Sequence, residues 1–196
     1  LIPRFFDATY GDIYIDGENI KDYKIEDLNQ KIGYVPQKGY LFSGTIKSNL
    51  LYGNENATEE DMMQALKISQ SDFVKKLEKG LDHEIAQGGT NVSGGQRQRL
   101  SIARAIVKKP EIYIFDDSFS ALDYKTDKNL RKALKKYTGD ATKVIVAQRV
   151  GTIIDADKIV VLDEGKMVGF GTHDELLQSC EVYKEIALSQ LSKEEL

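Results

Sequence analysis

Between residues 111 and 148 the chain reads EIYIFDDSFSALDYKTDKNLRKALKKYTGDATKVIVAQ. Two short apolar runs, EIYIF and TKVIV, flank a segment in which Leu130, Ala133, Leu134 and Tyr137 fall on one stripe of a helix. A strand with one wet face alternates apolar and polar residues. These two do not alternate, so both of their faces are expected to be covered. Strand, helix, strand with unbroken apolar strands is the unit of a buried parallel sheet and places the chain in the α/β class.

The remaining sequence can be laid around such a core. GDIYIDGENI alternates apolar and polar positions between glycines, the period of a half-buried strand running into a turn, so a small β region is expected at the N-terminus. IEDLNQKI reads as one short helix. KIGYVPQ gives a second short strand that Pro36 stops, leaving Gln37 where the chain exits the sheet. From Thr45 to about residue 80 the period becomes helical, with Thr58 and Ser71 as N-caps and Met62, Ala65 and Leu66 on one apolar face. A helical lobe inserted over about 45–105 is expected, with the core and C-terminal helices over about 106–196. KIVVLDEGKMVGFG reads as a hairpin turning at Asp163, Glu164 and Gly165, and THDELL opens the last helix with a capping box from Thr172 to Glu175.

At 196 residues and 41% hydrophobic side chains, the chain matches one globular domain with two lobes. Its 31 acids and 27 bases alternate without forming a basic block, and the net charge is −4, which argues against a nucleic-acid surface. Cys180 is the sole cysteine, which excludes an internal disulfide and a cysteine-built zinc cluster and agrees with a reducing compartment. No apolar run approaches the roughly 18 residues of a membrane helix, and the N-terminus has no basic-then-apolar signal layout. Any membrane link is therefore expected through a partner or another segment. LIPRFF crowds apolar side chains as the end of a buried helix does, and the chain reads as cut from something longer. His83 and His173 have no metal-type neighbour at a recognisable spacing, so surface or capping roles are expected of them.

Two stretches carry chemistry. In VSGGQRQRL, Ser93 can cap the following helix while Gln96 returns the capping box, and Gly94 and Gly95 leave backbone N–H groups open to an anion. By itself SGG equally marks an ordinary helix start. In IYIFDD, Asp116 and Asp117 stand where an apolar parallel strand ends, the place where open α/β sheets bind ligands and where a carboxylate commonly holds Mg²⁺. An isolated Asp pair there also serves to cap the next turn.

In this order and spacing the pieces resemble the nucleotide-binding domain of an ABC ATPase. VSGGQ at 92–96 is similar to the signature motif, IYIFDD to Walker B and SALD at 120–123 to the D-loop, and the resemblance runs over essentially the whole chain. FSGTIKSNLLYG is similar to the segment after the Q-loop in exporters. The resemblance implies a P-loop NTPase fold with a RecA-like parallel core, and ATP and Mg²⁺ as cofactors. It assigns Mg²⁺ to Asp116 and Gln37, with Gln37 also touching a membrane domain. It puts Ser93, Gly94, Gly95, Gln96 and Asp123 at a nucleotide, the signature turn completing the site of the opposite protomer in a head-to-tail dimer. Asp117 and Gln148 take the catalytic positions.

The departures from the family pattern carry expectations of their own. G-x-x-x-x-G-K-[ST] does not occur: GK is found only at Gly165 and Lys166, with Val160 where the first glycine should be. In the family the phosphate loop lies just upstream of a helix ending in a segment like LIPRFF, so an N-terminal truncation after Walker A is expected, with weak ATP binding and no activity for this polypeptide alone. Asp117 stands in for the water-polarising glutamate and is one methylene shorter. Gln148 stands in for the switch histidine and cannot carry an imidazolium charge. With a signature turn intact apart from Val92 in the usual Leu position, beside a weakened site, the chain resembles the degenerate-site half of a heterodimeric multidrug-type exporter; drift at tolerant positions in a homodimer is the bland alternative. The partners implied are a transmembrane domain and a second nucleotide-binding domain, at the cytoplasmic face of the cell membrane. Two rival functions are a soluble ABC ATPase acting in DNA repair or translation and a non-enzymatic interaction module. Against the first, the span from Gln37 to Ser93 has no long heptad run or basic insertion.

Overall fold

The computed structural model describes residues 1–191, in two compact units: Leu1–Val146 and a second that begins at Ala147. In the first unit β1 (Tyr14–Ile15) and β2 (Glu18–Asn19) pair antiparallel. The single half-buried strand expected from GDIYIDGENI is thus folded back on itself. Asp16 and Gly17 both take positive φ, 53° and 81°, the geometry of a tight hairpin turn. α1 (Ile25–Lys31) runs directly into β3 (Ile32–Val35), which stops before Pro36.

β4 (Gly44–Thr45), α2 (Ile46–Leu51), α3 (Glu59–Ile68), β5 (Glu84–Ile85) and α4 (Gly94–Val107) follow, with short 3₁₀ turns between α3 and α4. Thr45 and Thr58 close capping boxes at α2 and α3, and Met62, Ala65 and Leu66 are buried as their spacing predicts. Ser71 does not act as the expected cap. Its hydroxyl is buried 2.8 Å from that of Ser69, a partner that the local pattern does not reveal.

β6 (Ile112–Asp116), α5 (Tyr124–Tyr137) and β7 (Thr142–Val146) complete the unit as the expected strand, helix and strand. The sheet is parallel, in the order β3-β6-β7, with Ile32 opposite Ile112 and Ile112 opposite Thr142. Tyr113, Ile114 and Phe115 of the central strand are buried, whereas β7, on the edge, is only half-buried. One face packs Val35, Tyr113 and Phe115 against Ile102 of α4 and Leu130 and Leu134 of α5; the other packs Ile32 and Ile114 against Ile15, Ile20 and Leu28. Tyr137, at the end of the α5 stripe, leaves the core and is exposed. Residues 1–6 do not form the end of a buried helix: Leu1, Phe5 and Phe6 are exposed, and the Arg4 guanidinium donates to the carbonyls of Ile20, Lys21 and Tyr23.

The second unit holds α6 (Val150–Ile153), β8 (Ile159–Asp163), β9 (Lys166–Gly171), α7 (His173–Ser179) and α8 (Glu181–Gln190). β8 and β9 form the expected hairpin, turning through Glu164 and Gly165 at φ 45° and 76°. Ile159 and Val161 pack with Leu176, Tyr183 and Ala187, and the Thr172–Glu175 capping box opens α7. His173 is neither on the surface nor the cap; it is buried, with Nδ1 2.8 Å from the Tyr183 hydroxyl. Among the described residues no helix is long and apolar enough to cross a membrane.

Candidate functional site

The site grows from the C-terminal end of the sheet, where a parallel strand's carbonyls and the following loop converge. Asp116 is the last residue of β6 and Asp117 the first beyond it. Asp117 is buried and takes φ 44°, a left-handed conformation uncommon outside Gly, Asn and Asp. Its N–H donates to the Val146 carbonyl at 3.0 Å, extending the ladder with β7 into the turn. Ser120 Oγ donates to the Asp117 carbonyl at 2.8 Å, and Ser118 Oγ donates to that of Val35 at 2.8 Å, tying the loop back to β3. Such a position is over-determined by its surroundings, as a strained residue has to be.

The two carboxylates have different partners. Asp116 Oδ2 accepts from the Tyr34 hydroxyl at 3.0 Å, and burial first, with this carboxylate second, raises the Tyr34 phenol above its ordinary range. Asp117 Oδ2 accepts from Gln37 Nε2 at 3.0 Å. The amide of Gln37 is therefore turned toward Asp117, and the structure brings Gln37, Asp116 and Asp117 into one cluster.

Gln37 is placed by a residue that the sequence reading passed over. Gln98 of α4 is buried; its Oε1 accepts from the Gly39 N–H at 2.7 Å and its Nε2 donates to the Pro36 carbonyl at 3.1 Å, so the loop carrying Gln37 is held on both sides. A Cβ on Gly39 would lie 2.9 Å from that amide oxygen and from Ser101 Oγ, so a larger residue there would have to displace the Gln98 side chain. A signal was available. Gln98 stands on the apolar stripe of α4, at helical spacing from Ile102 and Ala105, where a polar side chain needs a partner.

Five residues earlier, about 7.5 Å along the same helix axis, lies the SGGQ turn. Ser93 Oγ accepts from the Gln96 N–H at 3.2 Å and Gln96 Oε1 accepts from the Ser93 N–H at 2.9 Å, so the box forms as its spacing predicts. The N–H groups of Gly94 and Gly95 belong to the first turn and have no acceptor within the helix. A Cβ on Gly94 would meet nothing within 4 Å, and one on Gly95 would come 3.5 Å from the Ala121 carbonyl. The SGGQ turn thus adjoins the SALD segment. There Asp123 caps α5, accepting from the Thr126 N–H at 3.0 Å, and the hydrogen bonds from Thr126 hold its carboxyl below the usual range. Gln148 lies in the second unit, where its carbonyl accepts from Gln190 Nε2 at 2.8 Å.

Asp116 and the amide oxygen of Gln37 are hard donors of the kind Mg²⁺ takes. Among the described residues no three His, Cys, Asp or Glu side chains gather as a metal-binding group.

Comparison with known proteins decides the family. Residues 1–120 match the family model described as ABC transporter. The chain belongs to the ABC transporter family. It is 47% identical over 193 residues to an ABC transporter ATP-binding protein of Mycobacterium tuberculosis, covering 97% of this chain and 33% of the relative. It is 45% identical over 195 residues to one of Bacillus subtilis, covering 99% and 34%. Over 187 residues it is 45% identical to a Staphylococcus aureus protein described as a multidrug export ATP-binding/permease protein, covering 95% and 32%. The chain spans about a third of the length of these relatives. A solved bacterial Atm1-family ABC exporter with ATP bound superimposes with a TM-score of 0.93 at 36% identity, covering 98% of this chain and 34% of that one. The fold is that of an ABC transporter ATP-binding domain, a P-loop NTPase.

Proposed function

We propose that this chain is the nucleotide-binding part of an ABC exporter, acting at the cytoplasmic face of a membrane and coupling ATP binding and hydrolysis to export through a transmembrane domain. The observation that carries the reading is the pairing of the Gln37–Asp117–Asp116 cluster with an ordered SGGQ turn on the one helix, α4, that also clips the Gln37 loop. Residues 45–105 act as its helical lobe within one domain spanning 1–196.

In this reading Asp116 and Gln37 hold Mg²⁺ against the phosphates of ATP, and the ion neutralises charge that the carboxylates alone would repel. Asp117 orients the attacking water. Held short and in a left-handed backbone, it reaches less far than a glutamate would, and a misplacement of about 1 Å lowers the rate by on the order of 10²-fold. Gln148 donates to a phosphate oxygen without carrying charge. Ser93, Gly94, Gly95 and Gln96, with Asp123 beside them, serve the nucleotide of a partner protomer, so that a weak site and a strong one share a heterodimer. The 196 residues contain no G-x-x-x-x-G-K-[ST], so ATP binding by this polypeptide alone is expected to be weak.

The test is to mix the polypeptide with a catalytically intact ABC nucleotide-binding domain from the partner half. A rise in the partner's ATPase rate that Ser93→Arg abolishes supports the reading. No rise at any ratio, with both proteins folded, counts against the role in trans.

A further inference from the structure

We propose that Tyr34 is a positioning residue for Asp116: its hydroxyl ties down one carboxylate oxygen and leaves the other as a single fixed donor, which suits the site to Mg²⁺ and discriminates against Ca²⁺. The inference rests on the reading of Asp116 as the residue that holds Mg²⁺.

The placement follows from register. Tyr34 of β3 lies opposite Ile114 of β6, and Asp116 is two residues further along β6, so Tyr34 and Asp116 project from the same face of the sheet. A diagonal neighbour on the adjacent strand is within reach of an aromatic side chain. The Tyr34 hydroxyl donates to Asp116 Oδ2 at 3.0 Å, since an ionised carboxylate can only accept. The ring that carries this hydroxyl is itself held. It packs with Ile32 and Ile114, and the Phe5 ring meets it edge-on at 5.3 Å, with 81° between the planes. Phe5 in turn follows Arg4, whose guanidinium is bonded to the carbonyls of Ile20, Lys21 and Tyr23.

The bond restricts what the carboxylate can offer. The terminal torsion of an aspartate is broad, so an untied carboxylate at a strand end presents one oxygen or both. With Oδ2 engaged by Tyr34, Oδ1 is the oxygen left. Gln37 is tied in the same manner: Nε2 donates to Asp117 Oδ2, and Oε1 is left. Mg²⁺ is small, demands near-octahedral geometry and is held by one or two protein oxygens together with phosphate oxygens and water. Ca²⁺ takes more ligands in looser geometry and accepts bidentate carboxylates. Two single oxygens, each fixed from behind, match the first ion better than the second. Partners that orient a ligating carboxylate in this way alter metal affinity by about 10- to 100-fold.

On the exporter reading, the test uses the transporter that contains this chain, native and with Tyr34→Phe or Asp116→Asn. What is measured is the concentration of Mg²⁺, and separately of Ca²⁺, that half-saturates binding of a fluorescent ATP analogue. The part of the signal that Asp116→Asn removes reports this site. The native site is expected to need less Mg²⁺ than Ca²⁺. Tyr34→Phe keeps the ring against Phe5 and removes only the hydroxyl, so it should raise the Mg²⁺ requirement by about 10- to 100-fold. The Ca²⁺ requirement should rise less, because the freed Oδ2 can join Oδ1 on the larger ion. Equal shifts for the two ions, as a merely structural loss would give, or no shift for either, would overturn the role of Tyr34 while leaving Asp116 as the Mg²⁺ residue. If Asp116→Asn removes no signal, the Mg²⁺ reading of Asp116 fails and the proposal fails with it. Equal requirements for the two ions at the native site overturn the proposal even should Tyr34→Phe not fold.

Discussion

Replacing Gln98 by leucine keeps most of the side-chain volume while removing both hydrogen bonds that clip the Gln37 loop. The Gly39 N–H, buried and 2.7 Å from Oε1, would lose its acceptor, and the Pro36 carbonyl, partly exposed and 3.1 Å from Nε2, its donor. A buried backbone group left unpaired costs about 1–3 kcal/mol. Gly39 should bear the upper part of that range and Pro36, within reach of water, the lower. The expected loss is about 3–4 kcal/mol, since leucine leaves little cavity and returns only a small transfer gain. Urea denaturation followed by circular dichroism measures it, and amide exchange at Gly39 locates it. A loss below about 1 kcal/mol, with the Gly39 amide as protected as before, would refute the clip. Gln98→Glu separates the two bonds. It keeps an acceptor for Gly39 but presents a carboxylate oxygen to the Pro36 carbonyl, so its deficit should shrink as pH falls and the acid regains a donor.

Gly53→Ala should destabilise by about 2–3 kcal/mol, because its Cβ would lie 2.2 Å from the Arg104 carbonyl and neither backbone can yield cheaply; an unchanged urea midpoint would show that the α2–α4 approach is looser than described. The Lys109 ammonium first, then Thr58, hold Asp61 well below the usual carboxylate range. Because its folded pKa is depressed, the stability it contributes is present above the unfolded value of about 3.9 and is lost as pH falls below that. Asp61→Asn should therefore flatten the acid limb of stability below about pH 4, and acid limbs that run parallel in the two proteins would exclude this carboxyl as a contributor. On the proposed exporter reading, Asp117→Glu with Gln148→His should raise the turnover of the transporter that contains this chain by about 10-fold or more. Turnover that stays flat while the variant remains folded would argue that neither side chain limits the rate.

Much of the fold could be read locally. The unbroken EIYIF and TKVIV runs led to a parallel pair, and they are adjacent and in register. The boxes at Thr58, Ser93 and Thr172 form because each joins residues three apart, within reach of the pattern that predicts them. The membership of the ABC family likewise lay in short motifs, since a glycine-rich capping turn and a carboxylate pair at a strand end are patterns of neighbouring residues.

What the tertiary structure decided involves groups distant along the chain. Ser71 lost its capping role to Ser69, and His173 went inside because Tyr183, on the next helix, offers it a hydroxyl. The apolar content of β6 and β7 is similar, yet β6 is buried and β7 only half-buried, while β3, at the other end of the order β3-β6-β7, is buried as well, so burial follows from what packs over each strand and not from its composition. Gln98 meets Pro36 and Gly39 across some sixty residues, and Tyr34 meets Asp116 across eighty-two. Which residues can cap a helix or fill a sheet was legible along the chain, because those capacities belong to side chains and short spacings. Which carboxylate takes which partner, Tyr34 for Asp116 and Gln37 for Asp117, was not legible, because those pairings depend on how strands and loops distant along the chain pack together.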